Sequence, residues 1–253
     1  MFSVAKQHLM AKIAAAPVTE TPFPHMRVDE AFPPDFYVEI QRNLLPDEEY
    51  VRLVDTGRVS AGYSPNRYCF MQSGHRQSPE APAVKFWEQL FAVLNDKEFL
   101  DGWVRRFAPA VRQRLALDLR DLDGGQDIGV GAEVFLMRDK DGYSLGPHVD
   151  ARSKAMTALF YLPPTDVDAG LGTSLYQRLD ESVPVRWGAR YPFKGFNLIE
   201  TIPYRPNSML AFPNLPTSFH GVEPLVGGSR ARDLMIYDVK YRLPEKAKAV
   251  PDV

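Results

Sequence analysis

Cysteine is almost absent from this sequence of 253 residues, and Cys69 is the only one. One cysteine cannot form a disulfide within the chain, nor can it supply a multi-cysteine zinc or iron–sulfur site. The sequence therefore excludes a disulfide-based scaffold and is compatible with a reducing compartment, so we expect a cytoplasmic protein. We expect Cys69 to be a buried, inert thiol.

Long apolar runs and long runs of one charge are also missing. No segment approaches the roughly 20 apolar residues that a helix needs to span a bilayer. Lys12 interrupts the apolar start of the chain, which favours a short N-terminal helix over a secretory signal. Lys and Arg total 30 against 32 Asp and Glu, for a net charge of −2. We therefore expect neither a nucleic-acid nor a membrane partner. The sequence does not indicate an oligomeric state.

The pattern of apolar residues changes near residue 125. Before it, helical spacing dominates in DFYVEIQRNLL, AVKFWEQLFAVL and LDGWVRRFAPAVRQRLALDL, with a break expected at Pro109. After it, short strand-like runs alternate with turns at 131–138, 144–150, 154–162, 173–179, 208–212, 218–225 and 233–241.

These patterns predict a mainly β protein with N-terminal helices, in which a sandwich or barrel is packed against the helices. We expect a single domain, 1–253. Within it, residues 1–125 form a helical N-terminal support region, 126–243 form the β-rich core, and 244–253 form a tail.

Two of the five histidines, His148 and His220, fall in strand-like runs of the β-rich half. On a strand, residues two apart point to the same face, so His148 and Asp150 face one space. Two histidines and one carboxylate form the facial triad of non-haem iron(II) oxygenases, which leaves three metal positions open. Catalytic zinc accepts the same ligands, and a strand histidine can also be a purely structural hydrogen-bonding residue.

Three longer runs carry a resemblance to a known family. LGPHVDARSKAMTALFYL, AGLGTSLY (169–176) and NSMLAFPNLPTSFHGVEPLVGGSRARDLMIYDVKY resemble, in this order, the prolyl-4-hydroxylase-like branch of the iron(II)/2-oxoglutarate-dependent oxygenases. The resemblance covers about 130–241. The segment PFPHMRVDEAFPPDFYVEI (22–40) is similar to openings seen in this branch.

The resemblance implies a double-stranded β-helix, a jelly-roll or cupin-like barrel with the metal at its mouth. It maps His148, Asp150 and His220 onto the three iron(II) ligands. Thr157 and Tyr161 map onto strand positions that commonly touch the cosubstrate 2-oxoglutarate, and their spacing places them on one strand face.

An arginine is expected to bind the distal carboxylate of 2-oxoglutarate, because its planar fork grips a carboxylate through two hydrogen bonds. The candidates are Arg230 and Arg232. We favour Arg232, which stands at the entrance of the apolar run DLMIYDVKY, because Arg230 follows the turn-like cluster Gly227-Gly228-Ser229.

The resemblance implies an oxygenase that uses Fe(II), 2-oxoglutarate and O2 to hydroxylate an unactivated C–H bond of a small molecule, such as an amino acid or natural-product intermediate. Related halogenases carry Gly or Ala where this chain has Asp150, so hydroxylation is favoured over halogenation. Desaturation and cyclisation remain open because they share the oxidant. The alternatives are a hydroxylase of a protein or peptide side chain, a cupin-like isomerase or hydrolase, and a metal-binding cupin-like protein without oxygenase activity.

Two segments combine aromatic and basic residues: GYSPNRYCF (62–70) and RWGARYPFKGF (186–196). Either is a candidate lid that grips an anionic small molecule. The second lies in a long connection, 180–197, which we expect to be more mobile than the barrel.

Overall fold

The structure is a computed structural model that describes residues 1–60, 62–72, 74, 76–118, 129–165, 171–182, 184–225 and 231–242, with only the backbone described at 115–118 and 242. Among these residues, no helix combines the length and the apolar character needed to cross a membrane.

Five α-helices are described in the first half of the chain: α1 (Phe2–Ala15), α2 (Pro34–Arg42), α3 (Pro82–Leu94), α4 (Lys97–Arg106) and α5 (Ala108–Asp118). Proline in the first turn begins α2 and α3, where its missing N–H costs no hydrogen bond. The Asp96 carboxylate accepts a hydrogen bond from the Phe99 amide and caps α4. The helices predicted at 35–45 and 83–94, and the break near Pro109, are confirmed.

Eleven strands are described: β1 (Met26–Asp29), β2 (Val51–Arg52), β3 (Arg67–Met71), β4 (Gly129–Asp139), β5 (Leu145–His148), β6 (Lys154–Tyr161), β7 (Thr173–Arg178), β8 (Phe196–Ile202), β9 (Ser208–Pro213), β10 (His220–Val222) and β11 (Arg232–Arg242). They form two antiparallel sheets, one in the order β1-β9-β6-β11-β4-β3-β2 and one in the order β5-β10-β7-β8. From β4 to β7, and from β8 to β11, the chain crosses between the sheets at each step. This is the double-stranded β-helix, so the predicted fold class is confirmed.

Side-chain alternation divides the large sheet into a helix face and a barrel face. On β4, Val134 and Leu136 join the core formed with the helices, whereas Phe135 and Met137 join the core between the sheets. The other central strands divide in the same way, because alternate residues of a strand point to opposite faces. The helices therefore cover one face of the large sheet and leave the other to build the barrel interior.

The N-terminal region contains more strand than predicted. Strands β1, β2 and β3 add to both edges of the large sheet, so residues 1–125 contribute to the barrel as well as to its helical cover. Segment 62–70 was a candidate lid, but its second part, from Arg67 onward, belongs to β3, which pairs with β4. Strand β8 was not predicted at all. The proposed domain division near residue 125 and the tail at 244–253 lie outside the described residues.

Candidate metal centre

His148 and His220 lie directly opposite each other on the paired strands β5 and β10. Their ring centroids are 4.2 Å apart. Asp150 follows β5 by two residues, and its Oδ1 lies 4.0 Å from His148 Nε2. One ligand atom from each of the three residues falls within 4.8 Å of the others. The structure thus brings together the three residues predicted as metal ligands.

Backbone carbonyls fix the tautomer of both imidazoles. His148 Nδ1 lies 3.1 Å from the Gly146 carbonyl oxygen, and His220 Nδ1 lies 3.0 Å from that of Ser218. A carbonyl only accepts hydrogen bonds, so each Nδ1 carries the proton and donates it. Each Nε2 is then left with a lone pair directed at the site, as in metal-binding histidines oriented by a second partner.

Two neighbours hold the Asp150 carboxylate. Thr157 Oγ1 donates a hydrogen bond of 2.6 Å to Oδ2, and Lys154 Nζ lies 3.2 Å from Oδ1. Burial opposes ionisation of Asp150, but the cationic Lys154 outweighs it and holds the carboxyl pKa well below its usual value. Asn214 Nδ2 ties the turn after Asp150 by donating to backbone carbonyls within it.

The protonation states of these residues suit a divalent cation. Burial lowers the pKa of His148 to about 3, with His220 adding to the effect, and burial also lowers the pKa of His220. At neutral pH the site therefore offers two neutral imidazoles and one carboxylate, the forms that bind metals. Two bonds of about 2.1 Å at right angles place their ligand atoms about 3.0 Å apart, so ligand atoms that lie within 4.8 Å of one another need to approach by at most about 2 Å to enclose an ion.

An inner cavity beside these ligands reaches into the barrel, and Thr157 and Arg232 both line it. Arg232 is 1% exposed, and its three guanidinium nitrogens donate to the Leu171 carbonyl, to Asp139 and to Thr173 Oγ1. Tyr161 does not line this cavity; it lies in the barrel core and donates a hydrogen bond of 2.8 Å to Thr173 Oγ1. Arg230 lies outside the described residues.

The sequence analysis did not identify four residues of the site: Arg67, Asp139, Lys154 and Asp238. Arg67, on β3, lines the inner cavity. Asp139, at the end of β4, lies opposite Arg67 in the strand register. Lys154 bridges Asp150 and Asp238, lying 2.9 Å from an oxygen of Asp238. A signal for Asp238 was available, because an aspartate amid the apolar residues of β11 requires a buried partner.

A wider outer cavity of about 480 Å³ joins the site to solvent, between β3 and the connection after β7. The segment 186–191 closes one side. The Tyr191 amide donates to the Pro147 carbonyl at 2.9 Å, and the Gly188 amide donates to that of Val149 at 3.1 Å. The predicted lid is thus attached to the strand that carries His148. Its greater mobility remains a prediction.

No family model and no curated protein sequence matches this chain. Several solved structures are similar to it. One is an oxidoreductase of the 2OG-Fe(II) oxygenase family from Burkholderia pseudomallei, with TM-score 0.49 and 12% identity over 91% of this chain and 89% of the other. A prolyl-4-hydroxylase from Pseudomonas putida gives TM-score 0.43 and 14% identity over 92% and 98%.

A third is a prolyl hydroxylase from Trichoplax adhaerens in complex with a hypoxia inducible factor peptide, with TM-score 0.48 and 14% identity over 97% and 91%. These proteins are of the superfamily that the sequence motifs resemble. With TM-scores below 0.5, the similarities do not by themselves assign a function to this chain.

Proposed function

We propose that this chain is an iron(II)- and 2-oxoglutarate-dependent oxygenase that hydroxylates an unactivated C–H bond of a small molecule, such as an amino acid or natural-product intermediate. The observation that supports it is one juxtaposition: the three metal-ligand atoms and two buried arginines, Arg67 and Arg232, line the same inner cavity. A metal site alone suits many reactions, but a metal beside a cationic pocket suits a chelating dicarboxylate.

His148, Asp150 and His220 would hold iron(II), leaving three positions for cosubstrate and dioxygen. Bound iron would supply dioxygen activation coupled to oxidative decarboxylation of 2-oxoglutarate, chemistry that amino-acid side chains do not provide. Thr157 and Lys154 hold the carboxylate of Asp150 in one orientation, which keeps this ligand in place between turnovers.

Arg67 and Arg232 would attract and orient the distal carboxylate of 2-oxoglutarate. Both are ion-paired with the single carboxylate of Asp139, so one positive charge of the group stays unneutralised. Because each nitrogen of Arg232 already donates, an incoming carboxylate shares the Arg232 fork with Asp139 or displaces a backbone partner. Apolar side chains of Leu145, Leu159 and Ile236 complete the lining and exclude water from the reacting atoms.

The test is succinate release from 2-oxoglutarate by the purified protein with iron(II) in air, together with anaerobic binding of 2-oxoglutarate to the iron-loaded protein, followed by its visible charge-transfer absorption. We expect both signals from the wild type. Asp150→Ala should abolish succinate release and weaken iron binding, because it removes the one anionic ligand, and His220→Ala should do the same. His8→Ala, outside the site, is the matched control.

Three results would contradict the proposal. Iron binding without 2-oxoglutarate binding would favour the metal-binding protein without oxygenase activity. Selective binding of zinc, with no response to 2-oxoglutarate, would favour a hydrolase or isomerase. Wild-type succinate release by the Asp150→Ala variant would show that Asp150 is not a ligand.

A further inference from the structure

Among the residues that the structure describes, four cationic side chains line the outer cavity, those of Arg58, Arg67, Lys154 and Arg190. Three of them are paired with carboxylates: Arg58 with Glu133, Arg67 with Asp139, and Lys154 with Asp150 and Asp238. Arg58 and Lys154 keep their carboxylate partners, and the one surplus positive charge of Arg67 and Arg232 over Asp139 is assigned above to 2-oxoglutarate in the inner cavity. The remaining cation, Arg190, therefore decides how the mouth of the cavity receives a charged ligand.

Arg190 has a different environment from the other three. Its Nη2 donates a hydrogen bond of 3.3 Å to Ser60 Oγ, and its guanidinium lies 4.7 Å from the ring centroid of Tyr63. Within the described part of the chain, no carboxylate pairs with it. A ring face holds a guanidinium by cation–π attraction without using its N–H donors. Arg190 is thus positioned from two sides while most of its donors stay available.

The backbone fixes Arg190 relative to the metal centre. Arg190 forms an isolated β-bridge with His148, and amide hydrogen bonds from Gly188 and Tyr191 to the 147–149 backbone flank this bridge. The two predicted substrate segments also meet here, because Tyr63 lies in 62–70 and Arg190 lies in 186–196. The cation is therefore held at a set place in the cavity that is lined by two of the three metal-ligand residues, His148 and Asp150.

We propose that Arg190 binds a carboxylate of the substrate, with Ser60 and Tyr63 positioning its guanidinium, so that the substrate is a small carboxylic acid. That this acid is the substrate of an oxygenase rests on the proposed function, whereas its binding to Arg190 does not. A single unpaired guanidinium matches the single charge and planar shape of a carboxylate. A phosphate ester carries about two charges and would require a second unpaired cation.

The test compares acids with matched amides, because this pair differs in charge but little in shape. The probes are the N-acetyl derivatives of the 20 amino acids and the corresponding N-acetyl amino-acid amides. Their binding is measured by calorimetry, to the anaerobic complex with iron(II) and 2-oxoglutarate and again to the metal-free protein. We expect at least one acid to bind about tenfold or more tightly than its amide, the scale of one charge-assisted hydrogen bond.

Arg190→Gln should weaken binding of that acid to the level of its amide, while binding of the amide changes by less than about threefold. Arg190→Lys should keep part of the preference, because it keeps the charge and loses the fork. Arg186→Gln is the matched control: Arg186 is exposed in the same segment and does not line the cavity. It should keep the full preference for the acid.

The proposal is overturned if the wild type binds no acid, if acids and amides bind equally, or if Arg190→Gln keeps the preference. Failure of the oxygenase assignment looks different. In that case 2-oxoglutarate neither binds nor yields succinate, while the metal-free protein still distinguishes acids from amides through Arg190.

Discussion

Arg232 and Asp139 form a buried ion pair across neighbouring strands, with Nη1 2.8 Å from Oδ2 and side-chain exposures of 1% and 0%. They are directly opposite each other in the β11–β4 register, and Arg67 is opposite Asp139 on the other side, in β3. Arg67 donates to both oxygens of Asp139, at 2.6 and 3.0 Å. One aspartate therefore holds both arginines of the inner cavity in place.

The stability of the barrel should depend strongly on this aspartate. We expect Asp139→Asn to lower the free energy of unfolding by about 3–5 kcal/mol, because it leaves two buried guanidinium groups without their shared anion. Urea denaturation followed by circular dichroism measures the loss. Asp47→Asn is the control: Asp47 also pairs with two cations but is 60% exposed, so its loss should stay below about 1 kcal/mol. A loss for Asp139→Asn that is as small as the loss expected for Asp47→Asn would contradict this prediction.

Binding of 2-oxoglutarate should depend on Arg232. We expect Arg232→Ala to weaken it by more than about a hundredfold, the equivalent of about 3–5 kcal/mol for one partner of a buried charged pair. Titration calorimetry on the iron-loaded, anaerobic protein measures the change, with circular dichroism verifying the fold. Arg230→Ala should change binding little. The reverse pattern would transfer the role to Arg230 and show that our assignment of the last strand's register is wrong.

Metal affinity should depend on the Thr157 hydroxyl. Thr157→Val keeps the shape of the side chain and removes the hydrogen bond of 2.6 Å to Asp150 Oδ2. We expect metal affinity to fall about 10- to 100-fold, as for other residues that orient a metal ligand. Competition with a chelator measures it, and Thr157→Ser, which keeps the hydroxyl, should remain near the wild type. Unchanged affinity in Thr157→Val would mean that the hydroxyl does not orient Asp150.

Gly146 allows segment 186–191 to approach β5. A Cβ atom at this position would lie 2.4 Å from the Tyr191 carbonyl oxygen, closer than real contacts allow. We expect Gly146→Ala to push the segment away from β5, seen as faster hydrogen exchange at the Gly188 and Tyr191 amides. Gly195→Ala is the control, because a Cβ there has no neighbour within 4 Å. Unchanged exchange in Gly146→Ala would show that the strand yields instead of the segment.

Glu133 should contribute to acid stability. Burial opposes its ionisation, but hydrogen bonds from Arg58 and Lys240 outweigh burial and lower its pKa to about 2. A depressed folded-state pKa stabilises the protein above the unfolded value of about 4.5, and this stability is lost as the pH falls from there towards 2.

The side chains of Arg58, Glu133 and Lys240 are partly exposed. We therefore expect the free energy of unfolding to fall by about 1–2 kcal/mol between the unfolded and folded pKa values of Glu133. Glu133→Gln should remove this component from the pH profile of the urea midpoint. An identical profile in the variant would rule out the ion pair as its source.

The sequence predicted the barrel strands well where a short apolar run is bounded by turn residues, as in β4, β6 and β11. It also predicted the meeting of His148, Asp150 and His220. Strand β3 was not predicted, because Arg67 and Tyr68 interrupt its alternation of apolar and polar residues and make the segment look like a basic, aromatic loop. The pairing of Arg67 with Asp139 could not be predicted, since it depends on the register between two strands far apart in the chain. Strand β8 exposes Leu198 and Ile199 and so lacks the usual alternation.

The attachment of segment 186–191 to β5 has a consequence for association between molecules. β5 is an outer strand of the small sheet, and a bare strand edge is a template for pairing with another chain. The amides of Gly188 and Tyr191 occupy backbone carbonyls along this edge. We therefore expect the segment beside the outer cavity also to limit pairing of this strand edge with a second molecule. Deleting it to probe substrate binding should yield aggregates, and single-residue changes such as Arg190→Gln avoid that outcome.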